Sequence, residues 1–210
     1  MTQIILVRHG ETDWNKEEMF RGRVDIELNE TGTKQAELLA EYLSKIKIDA
    51  VYSSPLKRAL KTAEIVAKNH KLDMKLAPGL IDFDYGEWQG LSHQEVKDKY
   101  KELYAEWIKN PHLVRMPGGE SLGDVKKRAT GVVNNVIAHY NGTVALISHR
   151  VVNKVLICAL LGLDNSHFWN IKQDTCALTT FIYEGGRFIL AEHNNTSYLK
   201  PIQKAPLSDF

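Results

Sequence analysis

Cysteine is scarce: Cys158 and Cys176 are the only two in 210 residues. Both sit in apolar stretches, LICALLG and DTCALTT, and no CxxC occurs. They read as small buried hydrophobes, with no disulfide framework or thiolate metal site expected. Charge of one sign is equally lacking. Lys and Arg number 27 against 26 Asp and Glu, with no basic block, which argues against a nucleic-acid partner. A chain so balanced handles anions with a few cations aimed into a pocket. Long hydrophobic runs are also missing. The opening MTQIILVRHG reaches an arginine after a short apolar run, too soon for a signal peptide or a membrane span. A cytoplasmic address is therefore expected, with no membrane partner.

What is present is an alternation of two element types. Gln3–Val7, Ile48–Tyr52 and Thr143–Ser148 are short apolar runs that predict buried strands, and Leu72–Ala77 is a weaker one. Between them, Thr31–Ile46 places Ala36, Leu39, Leu43 and Ile46 at helical spacing. Ser54-Pro55 predicts an N-cap and first-turn proline for a helix with Leu56, Ala59, Leu60, Ala63 and Val66 on one face. Ser92 with Glu95 and Ser121 with Asp124 are capping boxes; the second opens a helix carrying Leu122, Val125, Ala129, Val132 and Val136. An apolar helix is expected through Val155–Leu161. Leu178–Tyr183, Gly185-Gly186 and Arg187–Glu192 predict a closing hairpin. The expected fold is α/β: a three-layer sandwich with a mostly parallel sheet, an antiparallel edge hairpin and helices on both faces. No repeat or linker divides the chain, so one domain over 1–199 is expected, with 200–210 as a tail.

In such sheets ligands bind beyond the carboxyl ends of the strands. Here the first strand runs into Arg8-His9-Gly10-Glu11-Thr12. The second leads to Arg58, and TVALIS delivers Ser148-His149-Arg150. Asp82, Asp84 and Glu87 crowd the loop after the third strand. Arginines grip phosphate oxygens in bidentate fashion and stay charged. A neutral imidazole is a competent nucleophile whose adduct divides one displacement into two easier ones. A second histidine can donate to phosphate oxygens, and a carboxylic acid can protonate the leaving alkoxide. The set suits phosphoryl transfer without a metal or other cofactor. The remaining histidines, His70, His93, His112, His139, His167 and His193, lack metal-ligand spacing, and no HExxH occurs.

With those residues in view, the sequence resembles the histidine phosphatase superfamily, also called phosphoglycerate mutase-like. LVRHGETDWN is close to its signature, followed in the family's order by RGRVDIELNETG, SSPLKRALKTAEI, YGEWQGLS, PGGES and LISHRVVNKVLICALLGL. The resemblance implies that His9 is the phosphorylated histidine, that Arg8 and Arg58 bind the phosphate, and that His149 is the second active-site histidine. It also places Asn15 near the phosphate and Arg21-Gly22 at the pocket mouth. The family's acid is usually a glutamate three residues before the pair that here is Tyr85-Gly86; this chain has Asp82 there, one methylene shorter. Asp84 and Glu87 are the fallbacks. Arg150 stands where glycine is common and could add a cation to the pocket or point away.

The mutases of the family carry a longer middle segment with an adjacent arginine pair. Here Lys97–Pro117 is short and has no Arg-Arg, which favours a phosphatase over a phosphoglycerate mutase. PGGESLGDVKKR looks like the segment of α-ribazole and broad-specificity phosphatases, so the expected substrate is a small phosphoester such as a sugar phosphate or α-ribazole phosphate. A non-catalytic phospholigand sensor is the alternative of another class. Tyr100, Tyr104, Trp107 and Trp88 could cap the substrate or pack a helix onto the body, the commoner fate. The sequence leaves the oligomeric state open, a homo-oligomer included.

Overall fold

The chain was analysed as a computed structural model, in which residues 1–17 and 19–202 are described. In chain order the strands and α-helices are β1 (Thr2–Arg8), α1 (Asp13–Lys16), α2 (Glu30–Leu43), β2 (Ala50–Ser53), α3 (Lys57–His70), β3 (Lys75–Leu76), α4 (His93–Lys99), α5 (Lys101–Lys109), α6 (Leu122–His139), β4 (Thr143–Ser148), α7 (Arg150–Leu160), β5 (Leu178–Glu184) and β6 (Arg187–Asn195). The strands form one sheet in the order β3-β2-β4-β1-β5-β6. β1 to β4 pair in parallel, and β5 and β6 add antiparallel strands beside β1.

Alternation along the central strands sorts their side chains to two faces. Ile4, Leu6, Val144 and Leu146 join α6 and α7, through Val125, Val133, Val152 and Leu156, in one core. Ile5, Val7, Ala145 and Ile147 join α2 and α3, through Leu39, Leu43, Ala63 and Val66, in the other. Residues 4–7 of β1 and 144–147 of β4 are therefore apolar at every position, as strand segments covered on both faces must be. The result is the three-layer sandwich expected from the pattern. Cys158 and Cys176 are free and buried.

Both capping boxes form, with the hydroxyls of Ser92 and Ser121 accepting from the N–H groups of Glu95 and Asp124. In α6, Val133 rather than Val132 takes the deepest place, because the helical stripe drifts against a fixed spacing. Two local expectations need correction. The weak third strand shrinks to Lys75–Leu76, the only part that pairs with β2. Ser54-Pro55 does not cap α3: its N-cap is Leu56, and the Ser54 hydroxyl faces the sheet edge instead. The aromatic residues Trp88 and Trp107 are fully buried, and Tyr100 and Tyr104 pack against Trp88, so they form core and not a substrate lid. Among the described residues no helix is long and apolar enough to cross a membrane. Most of the expected tail, 203–210, lies outside the described residues.

Candidate active site

The register of β1 and β4 decides the geometry. Arg8 pairs with Ser148, so the next residues, His9 and His149, emerge side by side from adjacent parallel strands. Their ring centroids are 5.2 Å apart. The His9 backbone N–H donates to Ser148 O at 3.0 Å, which extends the pairing one residue past the strand. The following turn is held by side chains of both neighbouring helices: Gly10 N–H donates to Thr62 Oγ1 and Glu11 N–H to Gln35 Oε1. A Cβ on Gly10 would lie 2.4 Å from Gly32 O, so the turn presses directly on the start of α2.

His9 Nδ1 lies 2.6 Å from the carbonyl oxygen of Gly10. A carbonyl only accepts, so Nδ1 carries the proton and Nε2 the lone pair. Burial lowers the His9 pKa well below its ordinary value, and the Arg58, His149, Arg8 and Arg21 charges add to that. His149 is lowered likewise, by burial and then by Arg58, Arg128, Arg21 and Arg8. Both rings are thus neutral at physiological pH. His149 Nε2 sits 2.7 Å from Ser54 Oγ, which also accepts from Leu56 N–H. His149 Nδ1 lies 3.4 Å from Asp82 Oδ2.

Arg58 is fully buried and makes three hydrogen bonds. Its Nη1 donates to Val24 O at 2.8 Å, and Nη2 donates to Gly22 O at 2.7 Å and to Asp82 Oδ2 at 2.9 Å. Asp82 is 7% exposed and its Oδ1 accepts from Phe83 N–H. Arg8 is buried behind the cleft, with Nη1 on the Gln173 carbonyl. The cleft itself is lined by His9, Met19, Phe20, Arg21, Gly22, Asp82, Tyr85, Arg150 and Val151. Desolvation and the charges of Arg8, Arg150 and Arg58 bring Arg21 down to about 9, so it stays a cation at neutral pH. The N-terminus of α7 also opens at the cleft, and its dipole favours an anion there.

Of the residues singled out in the sequence, His9, Arg21, Gly22, Asp82 and Arg150 line the cleft, and Arg58 and His149 adjoin Asp82. Asn15 does not line it; its Oδ1 accepts from the Thr12 backbone and hydroxyl in the turn after His9. The fallback acids lie elsewhere. Asp84 pairs with Arg23 and accepts from Gly86 N–H, while Glu87 is exposed and accepts from the Tyr100 hydroxyl. Met19, Phe20, Tyr85 and Ser54 escaped the sequence reading. Ser54 follows β2 as His9 and His149 follow their strands, and that position was its signal. Among the described residues no group of three or more His, Cys, Asp or Glu could hold a metal ion.

Residues 4–196 match the sequence profile of the histidine phosphatase superfamily (branch 1). The chain belongs to that family. It is a phosphatase of the histidine phosphatase type, and its relatives agree. It is 40% identical over 200 residues to phosphoserine phosphatase 1 of Hydrogenobacter thermophilus, covering 95% of each chain. Among solved structures, it superposes on Bacillus stearothermophilus YhfR with a TM-score of 0.90 at 31% identity, covering 95% of this chain and 100% of the other. A phosphoserine phosphatase from Entamoeba histolytica, solved with 3-phosphoglyceric acid, gives a TM-score of 0.84 at 30% identity, again over 95% and 100%.

Proposed function

We propose that residues 1–199 form one catalytic unit that hydrolyses small phosphomonoesters bearing a carboxylate, phosphoserine foremost, through a phosphorylated His9. The observation that carries this reading is the Gly10 carbonyl on His9 Nδ1, which leaves the Nε2 lone pair for attack. Arg8, Arg58 and His149 hold the phosphoryl oxygens, and the guanidinium charge stabilises the transition state without a metal. As the P–N bond to Nε2 forms, the P–O bond to the substrate breaks and Asp82 delivers its proton to the departing alkoxide. Asp82, now a carboxylate, takes a proton from water, whose oxygen attacks phosphorus and frees His9 and inorganic phosphate. The shorter Asp82 serves as the donor because it lines the same cleft as His9.

The substrate class rests on two supports. A relative 40% identical is a phosphoserine phosphatase. Beyond the groups around the phosphoryl site, the cleft also presents Arg21 and Arg150, more positive charge than one phosphoryl group requires. A neutral sugar phosphate offers no second anion to meet them. The test is hydrolysis of phosphoserine and p-nitrophenyl phosphate with EDTA present, for wild type and His9→Ala. Chelator-resistant turnover that disappears in the variant, with an acid-labile phosphoenzyme trapped only in wild type, is expected. Turnover by His9→Ala would overturn the mechanism, and a preference for neutral sugar phosphates would overturn the substrate class.

A further inference from the structure

The acid at position 82 is one methylene shorter than glutamate, so its reach depends on where the backbone puts it. That backbone is held by a cation no catalytic step uses. Arg128, on α6, donates from Nη1 to Gly79 O and Ile81 O and from Nη2 to Asp82 O at 3.1 Å. One rigid guanidinium therefore grips three carbonyls within four residues, including that of the acid itself. The other edge of Arg128 is locked in a fork: Nε donates to Glu120 Oε1 and Nη2 to Glu120 Oε2, both at 2.9 Å. Both side chains are more than four-fifths buried.

Glu120 does more than orient Arg128. Its Oε2 accepts from Asp84 N–H, and its Oε1 lies 3.1 Å from Arg23 Nη2. Arg23 in turn pairs with Asp84 and belongs to the segment whose Gly22 and Val24 carbonyls sit on Arg58. Three stretches meet at this carboxylate: the cleft mouth, the loop of the acid and the start of α6. Arg23, Glu120 and Arg128 are not among the residues that line the cleft.

We propose that Glu120 and Arg128 are positioning residues for proton donation by Asp82, setting its carboxyl at the leaving oxygen. This rests on Asp82 being the proton donor. The consequence is specific to the leaving group. A serine alkoxide needs the proton; a p-nitrophenolate leaves without one. Displacing a donor by a fraction of an ångström to an ångström costs on the order of 10- to 100-fold in rate where its proton is required.

The test measures kcat and KM for phosphoserine and p-nitrophenyl phosphate in wild type, Arg128→Lys, Glu120→Gln and Asp82→Asn, with thermal unfolding as a fold control. Arg128→Lys keeps the charge near His149 but cannot span the carbonyls; Glu120→Gln keeps the shape and loses the fork. Both are expected to lose roughly 10-fold or more in kcat/KM on phosphoserine, a ratio that reads only the steps up to phosphorylation of His9, with kcat/KM on the aryl ester nearly unchanged. Asp82→Asn should show the same split in kcat/KM, larger, with kcat lowered on both esters because Asp82 also activates the water. A split in Asp82→Asn that is absent from both network variants, or equal losses in kcat/KM on both esters in whichever of them folds, overturns the positioning role alone. No split in Asp82→Asn overturns the role and the donor assignment beneath it.

Discussion

Arg58 and Asp82 are joined by a buried hydrogen bond, Nη2 to Oδ2 at 2.9 Å, while the same guanidinium carries the carbonyls of Gly22 and Val24. An arriving phosphoryl group must share this arginine with the acid and with the cleft mouth. Replacing Arg58 by Ala strands a buried carboxylate and two carbonyls, at a cost of about 3–5 kcal/mol in stability. Arg58→Lys keeps one charge and loses the fork. Denaturant midpoints should fall in both, and inhibition by inorganic phosphate should weaken. An unchanged phosphate inhibition constant in Arg58→Lys would remove this arginine from phosphate binding.

The two histidines set a pH dependence. Both have folded pKa values far below 6.5, chiefly through burial, so below that pH the unfolded chain binds more protons than the fold. Stability is therefore full above 6.5 and falls as pH drops, by about 1.4 kcal/mol per pH unit for each histidine. Urea midpoints between pH 7.5 and 5.5 read this, and the slope should flatten in a His9→Asn, His149→Asn double variant. An equal slope in the variant would mean that other groups carry the acid sensitivity.

Ser54 Oγ lies 2.7 Å from His149 Nε2 and fixes the ring, whose Nδ1 is 3.4 Å from Asp82 Oδ2. Ser54→Ala leaves the ring without that lock, at about 1–3 kcal/mol for the orphaned nitrogen. A loss of about 10- to 100-fold in kcat is expected, on both aryl and alkyl esters, because His149 serves phosphoryl binding and not the leaving group. Wild-type kcat in Ser54→Ala would show that packing alone orients His149.

Arg150 lines the cleft at the first residue of α7. If it reads the substrate carboxylate, Arg150→Gln removes one charged hydrogen bond of about 1.5–3 kcal/mol. KM for phosphoserine should rise about 10-fold or more, while p-nitrophenyl phosphate, which has no carboxylate, should be little affected. Parallel losses on both substrates would place Arg150 on the phosphoryl group instead.

The sheet was legible because its central strands are buried on both faces. TVALIS is a continuous apolar run, and its limits in the structure are those of the pattern, Thr143–Ser148. The third strand was not, since Leu72–Ala77 sets Asp73 and Lys75 among its apolar residues and only tertiary pairing with β2 decides where it begins. In the site, His9 and His149 were readable as unusual cargo at strand ends. Ser54 occupies the same kind of place, but Ser-Pro is also a common helix start, and the local rule concealed the long-range bond. The Glu120–Arg128 support was invisible for a further reason: Arg128 reaches carbonyls 46 to 49 residues away, and carbonyls carry no side-chain signal. Asp82 shows the limit of residue-type matching, because its usefulness depends on that unseen support.

The pairing of Arg8 with Ser148 has a broader consequence. Neighbouring strands stand about 4.8 Å apart in any sheet, and the two imidazoles that leave them are separated by little more, 5.2 Å between centroids. The spacing of the reacting pair is thus metered by backbone hydrogen bonding, the least variable dimension a protein has. Loops at the mouth can exchange a serine-sized substrate for another without retuning that distance, whereas slipping β4 by one residue would turn His149 away from His9 and end the chemistry at once.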